Sequence, residues 1–167
     1  MQYLGYAVLL AAQIAALAGA GFALFAAVKR PQANDARISR WAIFANGGFL
    51  TAAAAILAWA LVSSDFSFAY VADYTDRALP FFYRLTAFWA GQEGSLLFWA
   101  WAAAVMGCVF ALSPAEREMP TQKKLFFWAF FLSIQAFFLL LLTSWSNPFR
   151  EAMPVPADGN GLNPLLR

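Results

Sequence analysis

The chain of 167 residues has no histidine and a single cysteine, Cys108. Without histidine there is no imidazole ligand for haem iron, zinc or copper. Ser-His-Asp and Cys-His nucleophile systems are excluded for the same reason. One cysteine excludes an intrachain disulfide and a cysteine-based zinc site. Charge is also scarce. Charged residues make up 12% of the chain, where a soluble domain carries about 25% to coat its core. Eleven basic residues against nine acidic ones leave a net charge of +2. That near balance argues against a nucleic-acid binder, which normally shows a basic face.

Apolar residues are abundant instead, at 62% with 18% aromatic. They fall in charge-free runs: 26 residues at 3–28, 22 at 41–62, 18 at 95–112 and 22 at 125–146. A helix needs roughly 20 apolar residues to cross the hydrocarbon core, so each run predicts a transmembrane helix. A large soluble helical core is the rival reading. It fails because these helices lack a polar face and the chain has too few charges to solvate them. The expected fold class is therefore all-α and integral to the membrane, as a single membrane domain.

The signs of the remaining charges set an orientation. Residues 29–40 and 113–124 hold Lys29, Arg30, Arg37, Arg40, Arg117, Lys123 and Lys124, seven of the eleven basic residues. The positive-inside rule makes these connections cytoplasmic. Both termini, the loop at 63–94 and the tail at 147–167 are then extracytoplasmic. A cleaved signal peptide does not suit the first run, which is too long and has no basic segment before it. Tyr3, Tyr6, Trp41, Trp59, Trp128 and Trp145 sit near the borders of the runs, where amphipathic rings favour the headgroup layer. Ala11, Ala15 and Gly19 form a small-residue stripe that predicts close packing of the first helix inside a bundle. Phenylalanines around most of the fourth helix predict that it faces lipid.

The loop at 63–94 does not read as a solvated linker. Phe66, Phe68 and Tyr70 alternate with small residues, which suggests an extended stretch on the membrane surface. After Pro80, residues Phe81, Phe82, Leu85, Phe88 and Trp89 recur at helical spacing with Arg84 on another face. That is the pattern of an amphipathic interfacial helix. It serves either as a structural connector or as an interaction surface. Trp89-Ala90-Gly91-Gln92-Glu93-Gly94-Ser95 follows, and its glycines permit a sharp bend or a close backbone approach. Glu93 is the only acid between Leu85 and Leu112. It either requires a partner near the hydrocarbon, for which Arg77 and Arg84 are candidates, or sits in water at a helix start.

Gln13, Asn46 and Gln135 are explained by interhelical hydrogen bonds. Met106 and Cys108 are expected to pack rather than ligate a metal. The tail is rich in Asn, Pro, Asp and Gly, which predicts an ordered surface loop.

Several of these residues together resemble a known family. Tyr70-Val71-Ala72, Leu79-Pro80, Tyr83-Arg84, Trp89 through Leu97, and Trp99 resemble the N-terminal signature of the CcmF family. These are cytochrome c-type biogenesis proteins that act as haem lyase subunits. Asn147-Pro148-Phe149 and Asp158-Gly159 through Leu162-Asn163-Pro164-Leu165-Leu166 add a second match. The resemblance implies a bacterial inner-membrane protein that assists covalent attachment of haem to apocytochrome c, present here as an N-terminal fragment. It also implies a C-terminal half or subunit, a haem chaperone and an apocytochrome-handling subunit as partners, with lipid around the helices.

The family's haem-ligating histidines and tryptophan-rich segment match no position in the chain. Haem therefore belongs to the complete assembly and is not bound axially here, and the chain by itself should be inactive. Trp89, Gly91, Gln92, Glu93, Gly94, Ser95, Arg84 and Arg77 are expected to form a wall of the haem site or a docking surface, with no catalytic residue among them. A transporter would need a polar path, which Gln13, Asn46 and Gln135 do not make. A structural assembly subunit of a respiratory complex remains the alternative.

Overall fold

The computed structural model describes residues 1–163. The sequence matches at Pro164, Leu165 and Leu166 lie outside the described residues. Long helices α1 (Gln2–Val28), α2 (Ala33–Val62), α5 (Gln92–Leu112) and α7 (Thr121–Ser144) form the bundle. Among the described residues these four helices are long and apolar enough to cross a membrane. Between α2 and α5 lie two short helices, α3 (Ala69–Tyr74) and α4 (Phe81–Thr86), and a 3-10 turn at Ala87–Trp89. The short α6 (Pro114–Glu118) precedes α7.

Helix boundaries depart from the charge-free runs for a physical reason. Loss of charge marks where the hydrocarbon begins, whereas a helix begins where its first N–H groups are capped. Gln32 and Asp35 form a reciprocal capping box, so α2 starts eight residues before Trp41 and runs for 30 residues. At 1.5 Å per residue that is about 45 Å, well beyond the hydrocarbon thickness, so its charged first turns project past the apolar slab. Pro114 opens α6, where the Ser113 hydroxyl accepts the Glu116 N–H at 3.2 Å.

The core is a seam of small residues and leucines. On α1 the buried stripe is Gly5, Leu9, Ala12, Ala16, Gly19, Ala23 and Ala26. It lies one residue round from the predicted Ala11–Ala15 line, and both of those residues are only half-buried. A Cβ on Gly19 would meet Ala42 Cβ at 2.7 Å and Leu132 Cδ1 at 2.8 Å, so α1 packs closely on both α2 and α7.

Helix α7 corrects a second expectation. Its Phe126, Phe130 and Phe137 do face outward, but Leu125, Trp128, Leu132, Gln135, Leu139 and Leu142 are buried against the other helices. The predicted extended stretch at 66–74 is instead helical from Ala69, and Phe66, Phe68, Tyr70 and Val71 are buried. An aromatic alternation cannot distinguish a surface strand from a short helix wedged under a tail.

One cluster ties the basic connections together. The Glu116 carboxylate is fully buried; it accepts from Arg40 at 2.5 Å and Trp128 Nε1 at 3.3 Å and forms an ion pair with Lys124 at 3.4 Å. It joins α2, α6 and α7 at what is here called the basic end. The opposite end carries α3, α4 and the tail. Tail residues hydrogen-bond to α3 and its approach: Ala69 N–H donates to Arg150 O at 2.9 Å, Ala152 N–H to Ser67 O at 2.8 Å and Asn160 N–H to Ala72 O at 2.7 Å. Phe149 is buried beside Phe68, their centroids 6.3 Å apart.

Candidate functional site

A buried phenol organises the turn into α5. Tyr70 reaches from α3 so that its hydroxyl lies 2.9 Å from Ala87 O and 3.1 Å from Phe88 O, and it accepts the Gly91 N–H at 3.1 Å. Burial pushes this phenol well above its ordinary pKa of 10.0, only partly countered by the hydrogen bond from Gly91. The Tyr74 ring lies tilted beside it, 4.7 Å between centroids. Its pKa is raised too, by partial burial and then by the negative charges of Glu93 and Asp73. Both phenols therefore remain neutral across the physiological range. A buried tyrosine must find partners for its hydroxyl, and here the last turn before α5 supplies them.

The two glycines are required by close approach. A Cβ on Gly94 would overlap the Phe88 carbonyl oxygen and the Tyr70 hydroxyl, and one on Gly91 would enter the Tyr74 ring. Gly91 caps α5, with Glu93 in its first turn. The Ser95 hydroxyl donates back to Trp89 O at 2.9 Å, and Gln92 Nε2 donates to Ser146 Oγ at 3.2 Å. The run from Trp89 to Ser95 is thus a rigid corner, and Trp89 itself is half-exposed.

The arginines do not pair as the spacing suggested. Glu93 lies 3.7 Å from Arg150 of the tail, an open ion pair whose arginine is 62% exposed. Arg84 instead clasps main-chain oxygens, donating to Leu79 O at 2.8 Å, Val62 O at 3.1 Å and Arg77 O at 3.0 Å. It staples the connection back onto the end of α2. The Arg77 guanidinium lies 5.8 Å from the Phe66 ring centre, and its backbone N–H donates to Asp158 at 2.9 Å. Arg77 and Arg84 therefore shape the loop around the corner without meeting Glu93. Sequence reasoning missed Arg150 and Ser146, because their partners lie more than fifty residues earlier in the chain.

Beside the corner, an apolar groove of about 470 Å³ opens between α2, α4 and α5. Ala54, Ala55 and Ala58 form one wall, and Phe82, Trp89, Phe98 and Trp101 frame the rest. The Trp101 indole N–H donates to Thr51 Oγ1 at 3.2 Å. Phe98 contacts Phe88, Trp89 and Trp101, with centroids 6.0–6.3 Å apart. No acid–base pair meets in this groove. Among the described residues there is also no cluster of three or more Cys, Asp or Glu that could hold a metal. The arrangement can accommodate a flat or chain-like apolar group. The sequence signal for Phe98 and Trp101 was present in the aromatic density of α5, but not their convergence with Phe82 across the loop.

Comparison with known proteins agrees with this architecture. No family model matches the chain. The cytochrome c-type biogenesis protein CcmF of Pseudomonas aeruginosa is 43% identical over 133 residues, which cover 79% of this chain and 20% of that protein. CcmF of Escherichia coli is 34% identical over 136 residues, covering 80% of this chain and 20% of that protein. A solved cytochrome c heme lyase CcmF superposes with a TM-score of 0.79 at 28% identity, covering 89% of this chain and 24% of that one. The chain thus spans about a fifth of the length of the curated relatives it matches.

Proposed function

Because this chain is related to the CcmF cytochrome c-type biogenesis proteins and corresponds to about a fifth of their length, we propose that it is the N-terminal membrane part of a haem lyase. In this reading it assists the covalent attachment of haem to apocytochrome c on the outer side of a bacterial inner membrane. The observation that carries the reading is the structural match to a CcmF haem lyase over 89% of the chain.

Haem enters as substrate, and the residues fit one side of it. The groove framed by Phe82, Trp89, Phe98 and Trp101 is apolar and aromatic, suited to a porphyrin edge or face. The chain has no histidine to reach the iron. Its contribution is therefore a wall: Tyr70, Gly91 and Gly94 hold the corner, Trp89 and Phe98 present apolar surface, and Glu93 with Arg150 ties the tail to the start of α5. Axial ligation and thioether formation fall to other parts of the assembly, namely the C-terminal half, a haem chaperone and an apocytochrome-handling subunit. The basic bias of residues 29–40 and 113–124 supports placing the corner and tail in the periplasm.

The test replaces Gly91 by Val and Glu93 by Gln in the assembled system. It measures holocytochrome c yield together with the membrane level of the protein. A normal level with reduced yield supports the wall role, while unchanged yield in both variants removes the corner from the mechanism. The purified chain alone should show no bis-histidine haem spectrum, since that geometry needs two imidazoles. In a Cys108→Ala background, a cysteine at Asp158 should react with an impermeant thiol reagent in intact cells. Labelling only after membrane rupture would reverse the orientation.

A further inference from the structure

At the basic end, Glu116 pairs with Arg40 and Lys124, whereas Lys29 and Arg30 form no ion pair among the described residues. Both stand on the rim of a hollow of about 510 Å³ at the α1–α2 junction. Its floor is Phe22, Phe25 and Ala26, all within the charge-free stretch of α1. The Lys29 ammonium sits 4.3 Å from the Phe25 ring centre, so the fold holds a cation directly over the apolar floor. Asp35 also borders the hollow, with its carboxylate accepting the Gln32 N–H at 2.9 Å in the capping box. Two cations against one carboxylate leave the rim positive.

We propose that this hollow binds the headgroup of an anionic phospholipid, with Lys29 and Arg30 on the phosphate and Phe22 and Phe25 beneath the glycerol and first acyl carbons. The depth is what selects this occupant. The cations lie where a transmembrane helix leaves the hydrocarbon, and basic pockets there attract anionic headgroups. A free phosphate would gain nothing from the phenylalanine floor, whereas a diacyl lipid uses both halves. Electrostatic attraction near a membrane surface grows with each Lys or Arg, so losing both should be readily measurable.

The experiment uses the whole purified chain in detergent and native mass spectrometry. The probes are dioleoyl-phosphatidylglycerol, dioleoyl-phosphatidylcholine and sodium phosphate. Phosphatidylglycerol should be retained over phosphatidylcholine by about fivefold or more, and the K29Q/R30Q variant should erase that preference. Arg37→Gln, outside the hollow, should leave it unchanged. Equal retention of the two lipids by the native chain, or a preference that survives K29Q/R30Q, overturns the proposal. Displacement of the lipid by millimolar phosphate would mark a simple anion site and overturn it as well. If K29Q/R30Q unfolds, the charge-preserving K29R/R30K variant decides the matter: preference retained supports headgroup recognition, and preference lost refutes it.

Discussion

At the basic end of the bundle a buried carboxylate, Glu116, gathers two cations and an indole N–H. At the tail end a buried phenol and a guanidinium, Tyr70 and Arg84, bind main-chain carbonyls instead. The difference follows from what each end must join. Helices α2, α6 and α7 meet at the basic end, where Arg40, Glu116, Lys124 and Trp128 link them side chain to side chain. The tail end consists of short helices and turns with free carbonyls, and donors there do the joining. A buried charge cluster therefore closes one end, while hydrogen bonds to main-chain carbonyls, with one solvent-open ion pair, close the other.

Glu116→Ala should break this comparison most severely. It leaves Arg40 and Lys124 without their buried partner, a loss of about 3–5 kcal/mol when one member of a buried pair is removed. A large drop in the thermal midpoint in detergent checks this. A drop of a degree or less would show that water already screens the pair.

Gly94→Ala comes next. Its new methyl would overlap the Phe88 carbonyl and the Tyr70 hydroxyl, and overpacking of this kind costs about 1–3 kcal/mol. Limited proteolysis should open residues 63–94 in this variant while the basic end stays resistant. Uniform loss of resistance would mean that the two ends unfold as one unit.

Tyr70→Phe should cost about 1–2 kcal/mol by leaving carbonyls and the Gly91 N–H short of a partner. The same hydroxyl predicts a pH dependence. Its folded pKa lies above the unfolded value of 10.0, so its contribution is complete below pH 10 and declines as pH rises further. Stability of the tail end should thus be flat from pH 6 to 9 as far as this group is concerned. Absorbance titration of the phenols should show one that resists ionisation in the native protein and is missing from Tyr70→Phe.

Glu93→Gln should be the mildest change, about 0.5 kcal/mol or less, because its pair with Arg150 is open to solvent. A double-mutant cycle with Arg150→Ala measures the coupling directly. A coupling as large as that of Glu116 would erase the distinction between the two ends.

The membrane helices were legible because each rests on a one-dimensional property, the length of a charge-free run. The turn at Trp89–Ser95 was legible as a bend because glycine pairs are local. Partners were not. Glu93 pairs with Arg150 rather than Arg77 or Arg84, and Glu116 gave no sign of being buried. In sequence it reads as one charge among Arg117, Glu118, Lys123 and Lys124 in a polar connection. Its burial arises because α2 overshoots the apolar slab and brings Arg40 over α6.

Composition and periodicity by themselves determined that this chain is an all-α membrane protein with its basic residues gathered at one end. The absence of histidine likewise determined that it offers no imidazole to a metal. Those outcomes depend on transfer free energies and residue chemistry, which act position by position. Only the tertiary structure decided which face of α1 is buried, that Tyr70 rather than an arginine holds the corner, and that Phe82 and Trp101 share a groove. Such outcomes depend on how helices distant in sequence rotate and approach, and close packing selects a single arrangement from many that the same hydrophobic pattern allows.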